Sequence, residues 1–149
     1  MKERGVTLIE LVITITLIGI AVSAVLGTLA ANAKSSADGM VRAQAMAIAD
    51  AYLEEIRLKS FTDPDGVDGE TGRLNFDDVD DYNGLSDVGA IDQFGNAIAG
   101  LGDYRVAVAV AHSSALTGVA SANALRIDVA VTNPAAGVDV RATGYRANY

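Results

Sequence analysis

The sequence predicts an α+β fold, a long N-terminal α-helix packed against a C-terminal antiparallel β-sheet. Three patterns predict it. Residues 11–33 carry no charge, and their polar side chains are only Thr14, Thr16, Ser23, Thr28 and Asn32. Between Val41 and Ile56, apolar residues recur every three or four positions, the stripe of an amphipathic helix. From Tyr104 onward, apolar and polar residues alternate with period two, as in half-buried strands.

Residues 1–5, Met-Lys-Glu-Arg-Gly, read as a short basic leader. Residues 6–33 come next as an apolar helix long enough to cross a bilayer, which needs about 20 residues at about 1.5 Å each. Lys2 and Arg4 precede this run, and acids dominate the chain beyond it. That asymmetry keeps the N-terminus in the cytoplasm and sends the body outward. Glu10 stands near the start of the run, where a carboxylate costs about 2–3 kcal/mol or more in lipid. An acid there is either a headgroup-boundary residue of a plain single-pass anchor or a functional group. Gly19 and Gly27 are small positions at which helices can approach closely.

Residues 34–59 continue the helix in amphipathic form. Val41, Ala45, Ile48, Ala49, Tyr52, Leu53 and Ile56 line one side, with Arg42, Gln44, Asp50, Glu54, Glu55 and Arg57 mostly on the other. Gly39 is its soft point. The helix is expected to end near Lys59, because Thr62-Asp63-Pro64-Asp65-Gly66 is dense in turn residues and Asp63 precedes a proline.

Residues 60–103 form an acidic connecting region. Eleven acids and one base, Arg73, lie between Asp63 and Asp103, a net charge of −10 against −8 for the whole chain. No basic patch exists to displace the counterions of nucleic acid, so nucleic acid is excluded as a partner and a cation is the more natural guest. The segment 63–70 departs from the EF-hand pattern, because its glycine arrives at the fourth position and its closing Glu comes too early. Two readings stay open. One is a solvated loop with Asx turns. The other is a non-EF oxygen cage for calcium, drawn from Asp63, Asp65, Asp68, Glu70, Asp77, Asp78, Asp80 and Asp81.

Residues 104–149 carry the sheet. Tyr104, Val106, Val108 and Val110 form one apolar row, Leu125, Ile127, Val129 and Val131 a second, and Val138, Val140 and Ala142 a third. Short links between them imply an antiparallel meander whose apolar face covers the stripe from Val41 to Ile56. Enzymatic chemistry is not expected. The chain has no cysteine, and His112 is its single histidine, followed by two serines, Ser113 and Ser114, that suit a strand end.

Gly5-Val6-Thr7-Leu8-Ile9-Glu10-Leu11-Val12 resembles the processing site of type IV prepilins and type II secretion pseudopilins. The resemblance implies cleavage between Gly5 and Val6 by a prepilin peptidase and N-methylation of Val6. It also implies an assembly ion pair between the Val6 amine of one subunit and Glu10 of another. The usual first mature residue of that family is Phe, so Val6 departs from its commonest form. Ala51-Tyr-Leu-Glu-Glu-Ile56, Asp77-Asp-Val-Asp-Asp-Tyr-Asn-Gly-Leu85 and the ending to Arg146 resemble MSHA-type minor pilins of Gram-negative bacteria, the MshD group. This likeness implies a pilin-like fold and no catalytic residue. It also implies a subunit anchored once in the inner membrane, its C-terminal domain in the periplasm, that meets an assembly platform and joins other pilin subunits in an extracellular, adhesive pilus. A type II secretion pseudopilin and a tip adhesin binding a ligand through the acidic loops remain alternatives. Deletion of residues 63–92 would separate the adhesin from the rest.

Overall fold

The computed structural model describes residues 7–66 and 70–148. Helix α1 spans Leu8–Arg57, and four strands come after it: β1 (Ser86–Val88), β2 (Arg105–His112), β3 (Ala124–Asn133) and β4 (Val138–Ala147). The chain divides after Gly39 into two compact units.

In the first unit α1 is solvent-facing on every side. Leu8, Leu11, Ile15, Leu17, Ile20, Leu26 and Leu29 are all more than half exposed. Its hydroxyls do not relieve that apolarity. Thr14, Thr16, Ser23, Thr28 and Ser36 each donate to a carbonyl three or four residues back, at 2.7–3.0 Å. A hydroxyl satisfied by its own helix needs no partner in lipid or in a bundle. Among the described residues, α1 is the one helix long and apolar enough to cross a membrane.

The second unit packs the 40–57 stretch of α1 on a four-stranded antiparallel meander of order β1-β2-β3-β4. Val108 pairs with Val129 and Val131 with Val140, so the apolar rows of three strands fall on one face. That face meets Ala45, Ile48, Ala49, Tyr52 and Ile56, all of them buried. Each large aliphatic side chain closed off this way contributes about 1.5–3 kcal/mol. The α+β arrangement expected from the sequence is therefore the observed one, in the pilin-like manner.

The β3–β4 link is a short turn. Asn133 Oδ1 accepts the Ala136 N–H at 3.1 Å, and Gly137 takes φ +65°, open to glycine without strain. Gly144 on β4 has a different reason to be glycine. A Cβ built there would sit 2.8 Å from Leu53 Cδ1 and 3.2 Å from its Cγ. Gly144→Val is expected to lower unfolding free energy by about 1–3 kcal/mol through overpacking. A denaturation midpoint equal to that of the parent would show that Leu53 moves aside freely.

The helix ends at Arg57, near the expected Lys59, where the Leu58 N–H straddles the Glu54 and Glu55 carbonyls at 3.2 and 3.3 Å. One feature departs from the sequence reading: the region 60–103 is more than a connector. It contributes β1, paired through Asp87↔Val106 to β2, and buries Phe76, Val79, Tyr82 and Ala90. Strand β1 escapes a period-two reading because the inward residue of Ser-Asp-Val is an acid.

Candidate functional site

Two places hold the residues singled out by sequence. At the start of α1, the Glu10 N–H donates to Thr7 Oγ1 at 3.3 Å and the Leu11 N–H to the Thr7 carbonyl at 3.1 Å. Thr7 is thus the N-cap, and Glu10 stands at the third helical position. Thr-x-x-Glu is the sequence signature of a capping box. A carboxylate in the first turn is favoured by the positive end of the helix. Glu10 consequently has a local role in starting the helix, beside any role between subunits. Gly5 and Val6, the expected cleavage and methylation positions and the amine half of the ion pair, lie outside the described residues.

The second place is the acidic segment beyond the helix. Asp63, Asp65, Glu70 and Asp77 each bring one carboxylate oxygen to within 4.8 Å of the others. Asp63 is held by an Asx turn, its Oδ1 accepting the Asp65 and Gly66 N–H groups at 2.9 and 2.7 Å. Asp81 Oδ2 accepts the Asp77 and Asp78 N–H groups, while the Asp81 N–H returns a bond to Asp78 Oδ1. Asp81 also hydrogen-bonds the Glu70 side chain. Asp77 Oδ1 is the one buried side-chain polar atom among the described residues that has no hydrogen-bond partner. Of the eight sequence candidates, four are gathered, Asp81 supports them, and Asp78 and Asp80 stand outside the group. Asp68 lies outside the described residues.

Crowded carboxylates resist ionisation. Hydrogen bonding to Asp81 pushes Glu70 up to about 7. Burial raises Asp78 to about 6. Burial first, then repulsion from Asp65, Asp63 and Asp81, raises Asp77. Four oxygens this close suit a hard cation. Calcium sits about 2.3–2.6 Å from each oxygen, so ligands on opposite sides of it are about 4.8 Å apart. The buried, unpartnered Asp77 oxygen fits the same donor set.

The contacts that fix this segment to the domain carry almost no sequence signal. Arg73 is buried and makes a two-pronged pair with Glu55, Nε to Oε1 at 3.1 Å and Nη2 to Oε2 at 2.8 Å. Its Nη1 reaches Asp87 Oδ2 on β1 at 2.8 Å. The guanidinium lies 4.2 Å from the centre of the Tyr52 ring and 5.8 Å from that of Tyr82. Tyr52 donates to Asp87 at 2.7 Å and accepts the Ile91 N–H at 2.9 Å, while Tyr82 donates to Glu55 at 2.8 Å. Burial, then the Asp87 bond, pushes the Tyr52 phenol up to about 12. Burial pulls the Arg73 guanidinium down, yet the Glu55 bonds and charge outweigh it and hold Arg73 above its ordinary value. The one available signal is that Arg73 is the lone base among eleven acids.

Residues 1–26 match the family model of the prokaryotic N-terminal methylation motif. No curated protein matches the chain, and no solved structure does. The motif supports a type IV pilin-like or pseudopilin protein, a class of structural subunits. It implies processing by a prepilin peptidase and assembly with other pilin subunits. With the apolar helix that begins inside it, the motif fits a membrane-anchored subunit that later enters a filament.

Proposed function

We propose that this chain is a minor subunit of an MSHA-like type IV pilus, built into an extracellular filament through its N-terminal helix and supporting adhesion. Before assembly it is held by one span in the inner membrane, with residues 40–149 in the periplasm. The peptidase cuts between Gly5 and Val6 and the new amine is methylated. The observation that carries the reading is the methylation motif at the start of a helix whose apolar side chains, as far as Gly39, are uncovered on all sides. Such a surface needs lipid first and neighbouring helices afterwards. Glu10 and the Val6 amine of a neighbour then pair where the dielectric is low.

Shearing surface filaments from cells and detecting the chain in the sheared fraction tests this reading. Presence at a small fraction of the main subunit is the expected result. Retention in the periplasm, with loss of protein secretion on deletion, would instead favour the pseudopilin alternative. The adhesin alternative needs point variants rather than deletion of 63–92, since that stretch contains Arg73, Tyr82 and β1.

We also propose that Asp63, Asp65, Glu70 and Asp77 hold calcium, which would neutralise the cage and lock the loop. Without calcium, the raised carboxyls bind more protons folded than unfolded between pH about 4 and about 7. Their stabilising contribution is present below about pH 4 and is lost as pH rises through the folded values. Melting temperature should accordingly fall from pH 5 to pH 8, and calcium should offset the fall. At an affinity typical of extracellular modules, about 10 mM calcium adds about 1.4–2.7 kcal/mol. Asp77→Asn should abolish the gain. An equal gain in that variant, or none in the parent, would remove calcium from the account.

A further inference from the structure

Within the second unit, one face of α1 lies open beside the loop 90–101. Gln44, Ala47, Ala51 and Glu55 succeed one another along it at helix spacing, over a floor of Ile48 and Tyr52. Ile91, Ile98 and Leu101 form the opposite wall of a groove of about 650 Å³. Leu58 closes one end and is 84% exposed, and Ile98 is 42% exposed. The stripe from Gln44 to Leu58 is about 20 Å long. Ala47 and Ala51 present nothing beyond Cβ, so a second backbone can come close along its length. A contiguous uncovered apolar groove of this kind marks an interaction surface.

Charge decides what fits. Among the described residues, two carboxylates line the groove, Glu55, already paired with Arg73, and Asp92, and no base lines it, so Asp92 carries its uncompensated charge. Bonds from the Asn96 N–H, then its side chain and the Phe94 N–H, hold Asp92 below the usual carboxylate range. Residues 40–149 hold sixteen acids against eight bases. A second copy of this domain would therefore bring acid to acid.

We propose that the groove docks an amphipathic helix of a different protein subunit, apolar on one face and flanked by Lys or Arg. This surface is separate from the 8–33 helix used for filament entry, so it does not depend on the filament reading.

The chain has no cysteine, so a fluorophore can be placed uniquely by Gln93→Cys on the rim, or by Ala109→Cys on the exposed sheet face as control. The full chain, in nonionic detergent, is titrated with a quencher-bearing Leu/Lys helical peptide and with its Leu/Glu counterpart. Saturable quenching at the rim label is expected with the Leu/Lys peptide and at least about tenfold weaker binding with Leu/Glu. Ala51→Trp, and independently Ala47→Phe, should each fill the groove and weaken binding about tenfold or more. Both positions are exposed, and an unchanged melting temperature verifies folding. The proposal fails if neither filling variant alters the titration or if the two peptides bind alike. It fails equally if the Ala109 label is quenched as strongly, which would mean charge adhesion alone. Self-association abolished by Ala51→Trp would make a second copy the occupant and overturn it.

Discussion

Arg73→Ala is expected to cost about 3–5 kcal/mol of unfolding free energy, the cost of breaking a buried ion pair by removing one partner. The guanidinium ties three pieces of chain together: Glu55 on α1, Asp87 on β1 and its own segment between Glu70 and Asp77 of the acidic cage. Removing it leaves two carboxylates with little access to water and strips the cation from above Tyr52. Lysine in its place should recover only part of the loss, since a point charge cannot span Glu55 and Asp87 in the two-pronged geometry. Chemical denaturation of the parent, Arg73→Ala and Arg73→Lys checks this. A loss under about 1 kcal/mol for alanine would mean that the cluster carries no more than a surface pair.

Glu10→Ala should still insert and be processed, yet enter filaments at least about tenfold less efficiently. A difference of about 1.4 kcal/mol suffices for that factor, and opposite charges attract more strongly where the dielectric is low. The cap complicates the reading, because Glu10 also sits in the first turn against Thr7. Thr7→Ala weakens the cap by about 1 kcal/mol while leaving the charge, and Glu10→Gln removes the charge with little change of shape. If the ion pair is responsible, Glu10→Gln fails to incorporate and Thr7→Ala largely succeeds. Normal incorporation of Glu10→Gln would move the role of this residue from assembly to capping.

The parts of the fold that obey one period were legible. Ala45, Ile48, Ala49, Tyr52 and Ile56 are buried as the helical stripe requires. Val106, Val108, Ile127, Val129, Val131 and Val140 are buried as the alternation requires. In each case a single repeat decides which side meets the core. The middle of the chain obeys no repeat, because a charged network organises it. Asp87 points inward only because Arg73 and Tyr52 meet it there. Arg73 in turn is buried only because Glu55 pairs with it from α1, at a position that reads as solvent-facing. Such mutual dependence among residues up to 35 positions apart leaves no local pattern. The acidic cage was legible as composition but not as geometry. Eight carboxyls were candidates, and which four converge depends on the Asx turn at Asp63 and the carboxyls around Asp81. The cap at Thr7 is legible as Thr-x-x-Glu, but the processing motif spans the same residues and masks it.

We propose that the Gly5–Val6 bond is cut and that the chain enters a filament by the helix so released. Mass spectrometry of the N-terminal peptide, from protein isolated from its native membrane or filaments, tests it most directly. A chain beginning with N-methylated Val6 is the expected result. A chain still beginning at Met1 would contradict it and leave α1 as a plain single-pass anchor.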